Sequence, residues 1–214
     1  MKRPFYTFLI CSILLLSFIS CEQDSLSLSV EGKEISLSPE EILKNIVHQD
    51  IIFQFSAVDL ETGVENGWVV DREGSIKTYY YENEYPVAQS SNETWTEQDL
   101  ETLHLQTNET LFQVDPSDLL KKFNLIQQIE PGGLTDVEVR TTASSNTGFY
   151  AFSKLQNNEN AQPGCYAGEN DSSQSPALFN RLVLQISGRS NRINQSVRAN
   201  EIVNWLSNLN QDLQ

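Results

Sequence analysis

Few of the 214 residues have the types and spacing to do covalent or metal chemistry. Cysteines stand at positions 11, 21 and 165, and the two histidines at 48 and 104. A nucleophilic cysteine needs a base beside it and a depressed thiol pKa; nothing in the sequence places His48 or His104 near a thiol. Cys165 lies in the turn-like run Gln162-Pro163-Gly164-Cys165-Tyr166 and reads as structural. No GxSxG elbow, Walker-type glycine loop, HExxH or paired CxxC is present, so no catalytic centre, metal site or cofactor is predicted. His48 and His104 are 56 positions apart, and His104 sits among leucines as core or edge histidines do. Asp71-Arg72-Glu73-Gly74 has the opening of a calcium loop but lacks the further alternating acids and the distal Glu, and reads as a turn. The carboxylates are numerous enough to leave a paired-acid glycosidase open, although most fall at helix starts and turns, where capping accounts for them. The remaining chemistry is aromatic. Tyr79, Tyr80, Tyr81, Tyr85 and Trp95 cluster in sequence, and strand alternation puts Tyr79 and Tyr81 on one face and Tyr80 on the other. Tyr79, Tyr81, Tyr85 and Trp95 are the candidates for contact with a sugar or a protein surface; the plainer alternative is sheet packing with the hydroxyls reaching water.

The chemistry of Cys21 is set by what precedes it. Lys2 and Arg3 open the chain, and residues 8–19 are almost wholly apolar. That is shorter than the roughly 20 residues a spanning helix needs and fits the apolar core of a secretory signal, which is removed from the mature protein. The run ends in Phe18-Ile19-Ser20-Cys21, which resembles the lipobox of bacterial lipoproteins, with Phe18 where leucine is usual. The resemblance implies loss of residues 1–20 and acylation, of the palmitate kind, on Cys21. The alternatives are an ordinary signal cut nearby or an uncleaved anchor. Two or more acyl chains hold a protein stably to a membrane where one does not. Cys21-Glu22-Gln23-Asp24 is also similar to the acidic export signal that sends Bacteroidota-type lipoproteins to the cell surface; a solvated tether is the alternative. These resemblances imply a lipid-anchored protein of the bacterial outer membrane, surface-exposed or periplasm-facing, whose first partner is the membrane itself.

The formal charge of −15 argues against a nucleic-acid partner, whose phosphates need a basic face. With Cys11 removed and Cys21 acylated, Cys165 stands alone and no internal disulfide can form. No later segment is apolar enough to cross a bilayer.

The elements that must position these residues follow from pattern. Residues 22–37 are polar and serine-rich and read as a flexible tether. Ser38-Pro39-Glu40-Glu41 is a capping box with proline at the first helical position, and Ile42, Leu43, Ile46 and Val47 follow on one face. Residues 51–58 read as a strand and residues 59–66 as a polar connection. Residues 67–70 and 75–81 form a hairpin turning at Gly74. Helices are predicted over residues 96–106 and from Asp115 to a stop at Pro131-Gly132-Gly133. Strands are expected around Val137 and Val139, at 148–152 and at 178–186; residues 156–176 read as a long loop and 188–194 as a turn. A last helix spans 196–209. Hairpins with segregated helices predict an α+β fold, an antiparallel sheet with three or four helices packed on it. The expected organisation is a signal peptide (1–20), a tether (21–37) and one domain (38–214).

Two stretches are similar to a group of Bacteroidota-type lipoproteins without an assigned activity. One is Phe53-Gln54-Phe55 with the hairpin from Gly67 to Tyr79. The other is Leu182-Val183-Leu184-Gln185-Ile186-Ser187-Gly188 with Asn194-Gln195-Ser196 and the Trp205-Leu206 helix. The group often carries an acid where this chain has Arg189. It has no catalytic residues to carry over, so the resemblance supports the cellular address and the single domain. The expectation is a non-enzymatic binding or structural envelope protein. A hydrolase acting on envelope or glycan, and an accessory or inhibitor subunit of an envelope complex, are the alternatives.

Overall fold

The structure, a computed structural model, describes residues 29–30, 33–34, 37–82, 92–129, 133–155 and 177–213. Cys21, Tyr85, Cys165 and the loop expected at 156–176 lie outside these residues. The chain divides into two units, Met1–Leu37 and Ser38–Gln214. In the first, β1 (Ser29–Val30) pairs antiparallel with β2 (Lys33–Glu34), so the stretch expected to be a plain tether contains a short ladder.

In the second unit each helix starts where a side chain can satisfy its free N–H groups. The Ser38 backbone N–H donates to Glu41 Oε2 at 2.8 Å and the Glu41 N–H donates to Ser38 Oγ at 3.3 Å, the capping box that opens α1 (Pro39–Ile46). Thr96 and Asp99 make the same reciprocal pair for α2 (Glu97–Leu105). Asp115 caps α3 (Pro116–Ile126) and Ser196 caps α4 (Val197–Asp212).

Nine strands form one sheet, with every pair antiparallel: β3 (Ile51–Asp59), β4 (Val64–Asp71), β5 (Ser75–Glu82), β6 (Glu93–Thr96), β7 (Thr107–Gln113), β8 (Glu138–Val139), β9 (Ser145–Lys154), β10 (Leu178–Gly188) and β11 (Ser190–Ile193). The order across the sheet is β7-β5-β4-β3-β9-β10-β11-β8, and β6 pairs β10 on the same side as β11. The fold is α+β, as the pattern predicts. Three local readings are corrected. The polar connection expected at 59–66 is a tight turn: Asp59 Oδ1 accepts from the Glu61 and Thr62 N–H groups, Gly63 adopts φ 77°, and β4 already begins at Val64. The turn expected at 188–194 contains β11, which pairs β10 through Gln185 and Ile186. The strands β6 and β7 have no counterpart in the sequence reading.

The two faces of the sheet differ. α1, α3 and α4 cover one through Leu43, Leu119, Phe123, Ile126, Ile202 and Leu206, against Phe53, Trp68, Val70, Ala151, Leu182 and Leu184. A bulge between Ile51 and Phe53 turns both Ile52 and Phe53 to this side. Trp205 of α4 meets Phe53 edge-on at 5.3 Å, and Trp68 Nε1 donates to Asn210 at 2.9 Å, so α4 is located by an aromatic contact and a hydrogen bond. The opposite face carries a smaller apolar cluster, Ile51, Val69, Phe152 and Phe179 beneath Leu100 and Leu103 of α2, and beside it a row of polar side chains.

Candidate functional site

Strand register aligns that polar row. Gln54 of β3 stands across from Tyr150 of β9, Ser56 across from Gly67 of β4, and Glu65 of β4 across from Tyr81 of β5. Glu65, only 2% exposed, accepts from Ser56 Oγ at 2.7 Å, from the Tyr79 hydroxyl at 3.0 Å and from the Tyr81 hydroxyl at 2.5 Å. Gln54 Nε2 donates to the Tyr79 oxygen at 2.7 Å, and Gln54 Oε1 accepts from Arg181 Nε at 3.0 Å. Arg181, 1% exposed, lies with its guanidinium carbon 3.6 Å from the Tyr150 ring centre and 5.2 Å from that of Trp95, and its Nη1 is 3.4 Å from Glu93 Oε2. A buried cation and a buried anion are thus joined through one amide and one phenol, so the charged groups that would be costly alone share partners.

Two glycines make room for the row. A Cβ at Gly67 would overlap the Phe55 carbonyl oxygen and reach within 3.0 Å of the Tyr79 hydroxyl; one at Gly148 would stand 2.5 Å from the Tyr150 hydroxyl. Both glycines lie in strand interiors, where the missing side chain lets an aromatic ring fold close over the backbone. Burial raises the Tyr79 phenol well above its usual range, and the Glu65 carboxylate pushes the same way. Burial also raises Tyr150, against the opposing pull of Arg181. Both phenols stay protonated at neutral pH, and Tyr79 donates to Glu65 rather than acting as a base.

Beside the row, between the end of β5 and α2, opens a cleft of about 740 Å3. Tyr81, Glu82, Glu93, Trp95, Asp99 and Gln106 line it, together with Thr94, Thr102 and Leu103. Of the four aromatic residues singled out from sequence, Tyr81 and Trp95 meet at this cleft although they sit on strands that are not neighbours in the sheet. Tyr79 is 2% exposed and stacks on Tyr81 at 5.9 Å, so it supports the cleft from below. Tyr85 lies outside the described residues. Tyr80 points to the other face and is 54% exposed. All three acids on the cleft accept hydrogen bonds: Glu93 accepts from Arg181 and from Trp95 Nε1 at 3.2 Å, and Asp99 accepts from Thr96 at the start of α2. The third, Glu82, accepts from Tyr80.

The other reactive types do not converge. His48 is exposed at the end of α1, whereas His104 lies in the last turn of α2 with its Nδ1 buried and without a hydrogen-bond partner. Among the described residues no three His, Cys, Asp or Glu side chains are grouped to hold a metal ion. In the Asp71 turn, the carboxylate accepts from the Glu73 and Ser75 N–H groups at 3.1 and 2.7 Å and pairs with Lys77 at 2.9 Å; its oxygens close a turn. The sequence reading missed Gln54, Ser56, Glu65, Tyr150 and Arg181. The signal was there: Gln54 interrupts Ile51-Ile52-Phe53 and Phe55, and Arg181 interrupts Leu178-Phe179 and Leu182-Val183-Leu184. A polar residue inside an apolar strand needs a buried partner.

Comparison with known proteins finds no match: no family model, no curated protein and no solved structure aligns with this chain. Among the described residues no helix is long and apolar enough to cross a membrane.

Proposed function

We propose that this chain is a lipid-anchored protein of the bacterial outer envelope, of the Bacteroidota type, held by acyl chains on Cys21, and that its Ser38–Gln214 unit binds rather than catalyses. The observation that carries the non-catalytic reading is the occupancy of the polar row. Glu65, Gln54, Tyr79 and Arg181 bond to one another, and Glu93 and Asp99 at the cleft are held by Arg181, Trp95 and the α2 cap. An inverting or retaining glycosidase needs two carboxyls poised on one bond, and at the cleft only Glu82 lies outside that framework. The address is supported by the apolar leader ending at Ser20-Cys21 and by the absence of a membrane-length apolar helix among the described residues.

The cleft suits a glycan. It combines the aromatic surface of Tyr81 and Trp95 with hydroxyl, amide and carboxylate groups that can accept and donate to sugar hydroxyls. Mass spectrometry of the N-terminal peptide from native membranes tests the anchor: acylated Cys21 is expected, and an unmodified Cys21 or a retained leader overturns it. Titration of the purified protein with envelope polysaccharide and peptidoglycan fragments tests the cleft. Tyr81→Ala is expected to weaken the binding at least tenfold. Equal affinity for wild type and Tyr81→Ala, or turnover of the glycan, overturns the binding reading.

A further inference from the structure

The cleft between the end of β5 and α2 is built from one acidic stretch of chain. All its lining residues fall between positions 81 and 106, and from Thr78 to Leu120 the sequence holds nine acids and no lysine or arginine. Three of those acids, Glu82, Glu93 and Asp99, line the cleft, and no cation lines it with them. Arg181 pairs with Glu93 but is 1% exposed and is held over the Tyr150 ring at 3.6 Å. It offsets one of the three charges without lining the cleft.

Each carboxylate is half used. Glu93 accepts through Oε2, from Arg181 and Trp95; Asp99 accepts through Oδ2, from the Thr96 N–H and hydroxyl; Glu82 accepts through Oε1, from Tyr80. The second oxygens, Glu93 Oε1, Asp99 Oδ1 and Glu82 Oε2, accept no hydrogen bond among the described residues. The aromatic walls act in the same direction. The face of an aromatic ring is the negative end of its quadrupole and attracts cations. Tyr81 gives one face to Tyr79 at 5.9 Å and lines the cleft, and Trp95, which lines it too, already has the Arg181 guanidinium 5.2 Å from its ring centre. Among the described residues these acids form no group that could hold a metal ion. The cation that suits them is therefore an organic one, which meets separated oxygens through several N–H donors and lays apolar surface on a ring.

We propose that the glycan taken by this cleft carries protonated amino groups, as a chain of unacetylated amino sugars does. The inference rests on the glycan reading of the cleft and adds the charge of its ligand. A sugar ring lays its C–H face on Tyr81 or Trp95, and its ammonium, with three donors, reaches the second carboxylate oxygens. Acetylation of that nitrogen removes the charge and two of the three donors. Glycans bearing uronate or phosphate are rejected: the cleft meets them with three like charges, and the net charge of −15 adds to the repulsion.

The test titrates the full-length chain by calorimetry, at about pH 6 where sugar amines are protonated, with a glucosamine tetramer, its fully N-acetylated counterpart and putrescine. The amino tetramer is expected to bind about tenfold more tightly than the acetylated one, the weight of one charge-assisted hydrogen bond, and to lose part of that margin as salt is raised. Putrescine, which brings the ammonium without a ring, is expected to bind about tenfold more weakly than the amino tetramer. Asp99→Asn and Glu93→Gln each keep an oxygen for the existing hydrogen bonds and remove one charge. Each is expected to weaken binding of the amino tetramer about threefold and to leave the acetylated one unchanged, so the ratio of the two affinities separates charge recognition from any loosening of the cleft. Equal affinity for the two tetramers, or a ratio unchanged in both variants, overturns the inference and leaves the glycan reading standing. Putrescine binding as tightly as the amino tetramer overturns the sugar as carrier of the charge. Binding of neither tetramer overturns the glycan reading and the inference with it.

Discussion

Replacing Tyr79 by phenylalanine removes one oxygen and keeps the ring, its stacking on Tyr81 and its place above Gly67. The hydroxyl accepts from Gln54 Nε2 at 2.7 Å and lies 3.0 Å from Glu65 Oε1 and 3.2 Å from the Phe55 carbonyl. Without it, Gln54, itself 1% exposed, keeps an amide proton with no acceptor, and Glu65 loses the Tyr79 hydroxyl while those of Ser56 and Tyr81 remain. A buried donor left unpaired costs about 1–3 kcal/mol, and a thinned carboxylate shell adds to it. A loss of about 2–3 kcal/mol is therefore expected, which for a unit of the size of Ser38–Gln214 lowers Tm by roughly 4–12 °C. Tyr80→Phe on the same strand is the control: its hydroxyl is exposed and bonds only to Glu82, so a change within about 0.5 kcal/mol is expected. Urea unfolding of the two variants, followed by tryptophan fluorescence, measures both. A cycle with Gln54→Leu isolates the shared bond, because the double variant should lose less than the two single losses combined. Equal effects of Tyr79→Phe and Tyr80→Phe would refute the polar row as a stabilising unit.

Three further outcomes follow from the same geometry. Tyr79 and Tyr150 are both raised by burial above the usual phenol value of 10.0, so above that pH the unfolded chain gives up protons that the folded one keeps; the contribution of these phenols is expected to be constant below pH 10 and stability to fall above it, less steeply in Tyr150→Phe, as read by unfolding free energies across an alkaline series. Gly67→Ala forces a Cβ into the Phe55 carbonyl and should cost about 2–4 kcal/mol, whereas alanine at exposed Asn66 beside it should cost little; thermal unfolding of the pair checks this. Ser38→Ala removes the oxygen that accepts from the Glu41 N–H and should destabilise α1 by about 1 kcal/mol, visible as faster amide exchange over residues 39–46.

What could be read from the chain, and what could not, divides along the range of the interactions. α1 was legible because Ser38, Pro39 and Glu41 carry its start within four residues. The β4–β5 hairpin was legible because Asp71 and Gly74 close it locally, with Gly74 at φ 83°. β7 was not, because Thr107–Gln113 shows no alternation: six of its seven residues are exposed, and only its pairing with β5 makes it a strand. β6 is four residues whose partner, Leu178–Arg181, lies more than eighty positions away. The cleft was half legible. Tyr81 and Trp95 were selected by type, but nothing near either indicates that β6 and the end of β5, with four strands between them in the sheet order, line one cleft. The row beneath the cleft was open to suspicion only as polar interruptions in apolar strands; which partner each one finds depends on register.

The bond between Gln54 and Arg181 closes a span of 127 positions. During synthesis, Gln54, Glu65 and Tyr79 emerge long before the guanidinium that completes their row, and no earlier residue of the row supplies that cation. The first half of the chain can form its hairpins but cannot bury its centre until the last third arrives. A sheet locked by so distant a partner assembles late. For the exported, lipid-anchored protein proposed above, lateness at the centre would keep the polypeptide in a passable state until release.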